Sequence, residues 1–121
     1  MIEILKKGKD NFDIVATKAE FEAEGTRVDE LLRLIDIANQ ANVDIALKVG
    51  GCEAIRDLLE AKQFGVKYII APMVETPYAL KKFIKAKNKV FYEKENNCVE
   101  FLFNLETYHS YKCLKELVSI A

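Results

Sequence analysis

Each apolar, strand-like run in this chain of 121 residues delivers ionisable side chains at its end. The first gives Lys18, Glu20, Glu22 and Glu24, then Gly25. The second gives Lys48, followed by Gly50 and Gly51; the third gives Glu75 and the fourth Glu106. In α/β folds, ligands sit outside the carboxyl ends of the strands. Carboxylates gathered beside lysines on such a rim suit a hard divalent cation and an anionic substrate. Taken singly, each residue also reads as a charge that merely meets solvent. The four strand ends together favour a site. Gly50 and Gly51 read equally as a backbone cradle for a phosphate or carboxylate and as a tight turn into the next helix.

Positioning that rim requires strands that all run the same way. The runs Phe12–Phe21, Val43–Val49, Lys67–Val74 and Val99–Leu105 are apolar on both faces, which predicts buried parallel strands. Helical patterns alternate with them. Thr26 is placed to cap the first helix, with Asp29 in the capping-box position; Val28, Leu31, Leu32, Ile35 and Ala38 form its apolar stripe. The second is expected from about Cys52 to Phe64, burying Ile55, Leu58 and Leu59 and stopping at Gly65. Thr76 and Pro77 open the third, with Leu80, Phe83 and Ile84 inward and Lys81, Lys82, Lys85 and Lys87 outward. Asn96 and Asn97 mark a turn. A last helix from near Ser110 carries Leu114, Leu117 and Val118. The layout is an α/β fold in one domain, residues 1–121, with four consecutive βα units and right-handed crossovers.

Composition narrows the function classes. Eighteen Lys plus Arg against nineteen Asp plus Glu leave a net charge of -1. That balance argues against a nucleic-acid footprint, which needs a basic face. Aromatic and β-branched residues spread evenly along the chain, which argues against disorder. No apolar run approaches the roughly 20 residues that span a bilayer. The opening MIEILKKGKD has too short an apolar core for a signal peptide. Three cysteines without CxxC spacing fit reduced thiols in a cytoplasmic protein.

Other reactive residue types have plain readings. His109, the single histidine, follows Glu106 by one turn and reads as a loop or first-turn residue before a ligand or base. Cys52 precedes the second helix, whose dipole would lower a thiol pKa, but no histidine partner can be placed beside it. The lysines between Lys81 and Lys89 have the spacing of a solvated helix face.

Three stretches resemble one known family in matching order: KAEFEAEGTR, then LKVGGCEAIRDLLEAKQFGVKYIIAPMVETPYAL, then FLFNLET. The resemblance is to the HpcH/HpaI aldolase and citrate-lyase β-chain family, and it runs from about Phe12 to Tyr108. Ala71-Pro72-Met73-Val74-Glu75-Thr76 is similar to the family's PMV-Q/E or PKVES strand. Asn104-Leu105-Glu106-Thr107 is similar to its VQVET or IET strand. These are TIM-barrel enzymes that make or break carbon–carbon bonds beside a 2-oxo acid, or in a citrate-like thioester, using Mg²⁺ or a related ion. The resemblance implies Glu106 as the metal ligand. It places Lys48 where an arginine grips the substrate carboxylate and enolate oxygen, and Glu20 or Glu22 in the acidic strand end written DGEH or LEDA. Lysine offers a point charge in place of a bidentate fork. The histidine of DGEH is replaced by Phe21 or Glu22, so base chemistry of that kind is not carried over.

A full barrel takes about 250 residues and eight strands. Four βα units therefore predict a partial, half TIM barrel without the GPADLS-like strand that bears a second metal ligand. The expected function is a fragment of a metal-dependent carbon–carbon lyase acting on 2-oxo acids or related carboxylates, inactive alone. Its expected catalytic residues are Lys48, Glu20 and Glu22. Lys48, Gly50, Gly51 and Glu75 would bind substrate, and Glu106 would hold Mg²⁺ or Mn²⁺ weakly. The alternative is a non-catalytic assembly or binding module built from a half-barrel; a flavodoxin-like regulator ranks third. Expected partners are a small carboxylate and further copies of the chain at exposed strand edges, with neither nucleic acid nor membrane.

Overall fold

The computed structural model describes residues 1–92 and 98–121, so the turn expected at Asn96 and Asn97 lies outside the described residues. The elements are α1 (Ile2–Phe12), β1 (Ala16–Glu20), α2 (Val28–Ala41), β2 (Asp44–Lys48), α3 (Ile55–Gln63), β3 (Tyr68–Ala71), α4 (Pro77–Val90), β4 (Glu100–Phe103), α5 (Tyr108–Lys112) and α6 (Leu114–Ile120). The strands form one parallel sheet in the order β1-β2-β3-β4. This is the expected α/β fold of four βα units.

Right-handed crossovers between consecutive parallel strands place the helices on one side of the sheet. Burial follows that geometry. Ala19, Ile45, Leu47, Ile69 and Ala71 are buried in one core with Leu31, Leu58, Leu80, Phe83 and Leu117 from the helices. Their neighbours along the strands, Lys18, Ala46, Tyr68, Ile70 and Leu102, point the other way and are half-buried or exposed. The expectation of strands buried on both faces is thereby corrected. Along the strands the more buried residues alternate, apart from Glu20 and Lys48 at the strand ends, because among the described residues only one face carries helices.

The first strand is also shorter than its apolar run. Phe12 ends α1, and Asp13 takes a left-handed conformation (φ 54) with its N–H donated to the Gly8 carbonyl. At Gly8 a Cβ would lie 2.7 Å from Ile14 Cδ1, so a larger residue would displace the end of that side chain. The α1 helix was not expected; its apolar residues are sparse, and only Ile2 and Leu5 pack against the core. The α2 helix starts one residue later than Thr26 would allow. Arg27 is its N-cap, and the Arg27 N–H donates to Glu30 at 2.9 Å. Leu32, Leu59 and Val118, expected inside, are exposed. Cys52 precedes α3 because Ala54 is the N-cap, while Gly65 adopts the expected positive φ of 68° just beyond it.

Two caps act as read. Thr76 Oγ1 accepts the Ala79 N–H at 3.1 Å, with Pro77 opening α4. The final helical segment divides in two. Thr107 caps α5 by accepting the Ser110 N–H, and α6 follows from Leu114. No described helix is long and apolar enough to cross a membrane.

Candidate functional site

Strand register brings the charges together. Glu20 is the partner of Lys48, Lys48 of Ile70, and Ile70 of Leu102, so all four share the bare face. Glu20 and Lys48 lie at the carboxyl ends of β1 and β2, and although charged they are only 4% and 9% exposed. Buried charges persist only when paired. Here Lys48 Nζ lies 3.0 Å from Glu20 Oε1, 3.6 Å from Glu106 Oε1 and 3.9 Å from Glu22 Oε2. Lys18 Nζ donates to the other Glu20 oxygen at 3.0 Å. One carboxylate is thus held between two ammonium groups, one on each oxygen.

The loop after β1 fastens this arrangement. The Thr26 N–H donates to the Glu20 carbonyl at 3.1 Å, and the Glu20 N–H donates to Thr26 Oγ1 at 3.5 Å. The Ala23 N–H reaches Glu20 Oε1 at 3.4 Å. On β4's side, Asn104 Nδ2 donates to Glu106 Oε1 at 2.6 Å and fixes that carboxylate near Lys48.

Protonation follows from the contacts. The hydrogen bond from Lys18, then that from Lys48, holds the Glu20 carboxyl down at about 2, from an ordinary 4.5, against the effect of burial. Lys48 is raised above its ordinary 10.5, first by its hydrogen bond to Glu20 and then by the charges of Glu106, Glu20 and Glu22. A lysine that attacks a carbonyl must lose its proton, which needs a depressed pKa. Lys48 is instead a fixed cation, suited to holding a carboxylate or enolate oxygen. Glu20 is a fixed anion, suited to orienting Lys48 and unsuited to donating a proton near neutrality.

Of the residues nominated from sequence, Lys48, Glu20, Glu22 and Glu106 converge. Glu75 is exposed beyond β3 and is not among the ion-pair partners of Lys48. The Gly50 N–H already donates to Asp57 Oδ2 at 2.7 Å, which favours the turn over the anion cradle, and the Gly51 carbonyl accepts the Ala54 N–H at 3.3 Å. His109 is an exposed residue of α5. Burial, then the charge of Glu53, pushes the Cys52 thiol pKa up, the reverse of what its position before a helix suggested. All three cysteines are free. Lys18 was read as a rim charge without a role, while Asn104 and Thr26 are the site residues that sequence reasoning passed over. Lys18 and Asn104 each stand two positions before a nominated glutamate, and period two along a strand was the signal available.

Among the described residues no three His, Cys, Asp or Glu side chains gather into a set that could hold a metal ion. Glu20, Glu22 and Glu106 turn their oxygens toward an ammonium nitrogen. The described donors therefore do not form the shell that the resemblance implies for Mg²⁺ or Mn²⁺. No family model matches the chain, and no curated protein matches it.

Proposed function

We propose that the rim around Lys48 binds a small 2-oxo acid or related carboxylate and serves carbon–carbon lyase chemistry. In this reading the four-stranded unit contributes part of a barrel wall. The observation that carries it is the protonated, nearly buried Lys48 at the carboxyl ends of parallel strands, with Glu22 and Glu106 at loose distances of 3.9 and 3.6 Å. Breaking a carbon–carbon bond beside a carbonyl leaves its electron pair as an enolate, and a cation already aimed at that oxygen lowers the barrier. Glu20, at 3.0 Å and ionised, positions Lys48. Glu22, the more distant at 3.9 Å, yields to an incoming carboxylate. Glu106 is the residue the resemblance gives for a divalent ion, and the role of Lys48 in this reading does not depend on one.

In this reading the bare face leaves the unit inactive in isolation. With no wall opposite, water reaches the rim and screens the Coulomb attraction that would act in a closed site.

Calorimetric titration of pyruvate or oxaloacetate, with and without Mn²⁺, tests the reading. Saturable binding is expected, lost in Lys48→Met. Glu106→Gln should remove whatever part depends on Mn²⁺. No binding by the unaltered chain under either condition overturns the rim as a carboxylate site. The second reading is a non-catalytic assembly module, supported by β1 and β4 lying at the sheet's edges with no further strand beside them among the described residues; it predicts a defined oligomer indifferent to oxo acids and divalent ions.

A further inference from the structure

The edges of the sheet fit one another. In β1 the Val15 carbonyl accepts from Asp44, and the Phe21 N–H donates to Lys48. In a parallel ladder the odd-numbered backbone groups of β1 therefore serve β2, and those of Ala16 and Lys18 face outward. Thr26 already occupies the outward groups of Glu20. On the far edge, Glu100 donates to Lys67 and Asn104 to Ala71, so Phe101, Phe103 and Leu105 face outward.

Stagger points to closure. Ala16 is level with Asp44, where both strands begin, whereas Tyr68 at the start of β3 is level with Ala46, two residues along β2. Tyr68 is level with Glu100, where β3 and β4 both begin. The strand starts thus advance two residues in one four-stranded unit. A closed eight-stranded parallel barrel needs a shear of about eight. Two units supply half of that internally, and two residues at each of two seams supply the rest.

We infer that two copies of the chain close face to face into an eight-stranded parallel barrel, β4 of each pairing with β1 of the other. This rests on the barrel-wall part of the proposed function and not on its chemistry. The required stagger sets Leu102 opposite Ala16 of the second copy, and Asn104 opposite its Lys18. The free backbone groups allow that register, since it sets even residues of β1 opposite even residues of β4. The second copy's Ala16 N–H donates to the Phe101 carbonyl, and the Phe103 N–H donates back to its Ala16 carbonyl. Its Lys18 and Leu105 repeat the pattern one step along.

Charge and apolar surface agree with the seam. Lys18, half-exposed on β1, arrives beside Asn104 and Glu106 of the other copy and adds a cation to each rim. Val15, Leu102 and Leu105, now 63%, 46% and 46% exposed, lie along the same contact. Both Lys48 clusters then open at one mouth, and each receives a residue from the opposite copy.

Sedimentation or light scattering over a range of concentrations tests this without any ligand. The expected mass is twice the 13.8 kDa of the chain. A monomer at every concentration overturns closure while leaving carboxylate binding untouched, and a mass that keeps growing shows edges that pair without closing, which also overturns it. Ala16→Pro removes an N–H that serves no bond among the described residues. It should keep its circular dichroism and weaken dimerisation on the order of tenfold or more, since each seam loses a backbone hydrogen bond. Leu102→Lys, on the bare face, should do the same should Ala16→Pro fail to fold. Lys85→Glu, on the outer face of α4, should leave the dimer intact. Dimers that persist in both seam variants overturn the proposed pairing.

Discussion

Ile69 and Ile70 are adjacent on β3, yet Ile69 is fully buried beneath the helices while Ile70 stands half-buried on the opposite face. The same contrast runs through the sheet. On the covered face Ala19, Ile45, Leu47, Ile69 and Ala71 are apolar and buried, with Phe101 and Phe103 packed against them. On the bare face Ala46, Tyr68, Ile70 and Leu102 are interleaved with Lys18, Glu20, Lys48 and Glu100. The covered face holds the chain together through contact with helices. The bare face keeps two nearly buried opposite charges at one end and incompletely covered apolar side chains beside them, an arrangement that suits a ligand and a second wall.

Three substitutions can break or sharpen that contrast. Ile69→Ala should cost roughly 2–5 kcal/mol, as expected for a buried side chain in a close-packed core. Urea unfolding in dilute solution checks it; a cost near zero would mean that the helices do not seal this face. Glu20→Gln should have an intermediate effect, concentrated in the acid range. The folded Glu20 carboxyl titrates near 2 and the unfolded one near 4.5, so the unfolded chain takes up protons first as pH falls. Its stabilising contribution is complete above about 4.5 and is lost between there and about 2. A plot of melting temperature against pH should therefore be flatter over that window in Glu20→Gln. An unchanged acid slope would show that Lys18 and Lys48 do not hold the carboxylate in solution.

Ile70→Ala should have the smallest effect, about 1 kcal/mol in dilute solution, because its side chain is only partly removed from water and leaves no sealed cavity. The same substitution should cost more at concentrations where two copies associate. Equal costs for Ile69→Ala and Ile70→Ala under dilute conditions would mean that the second face is already covered in the single chain.

Much of the fold could be read along the chain because its signals are local. Thr76 and Pro77 announce the start of α4, and Gly65 the end of α3, through backbone chemistry that needs no distant partner. Phe12 to Val15 misled for the same reason. Their apolar character continues that of β1, but the packing of Gly8 against Ile14 and the left-handed turn at Asp13 give Phe12 to a helix. Leu32 and Leu59 keep helical spacing yet point outward, since the position of the sheet fixes which side of each stripe is inside.

The site divides likewise. That Glu20, Lys48 and Glu106 stand near the ends of apolar runs is a property of the sequence, because strand length and direction follow from local pattern. That Lys48 is the centre of the cluster, that Lys18 and Asn104 hold its partners, and that Glu75 stands apart depends on register between strands far separated in the chain. The sequence by itself determined four strands, their common direction and the charges at their ends. Only the tertiary structure decided which face the helices cover and which ammonium each carboxylate meets, because a period of two says that a strand has two faces and cannot say which one is packed.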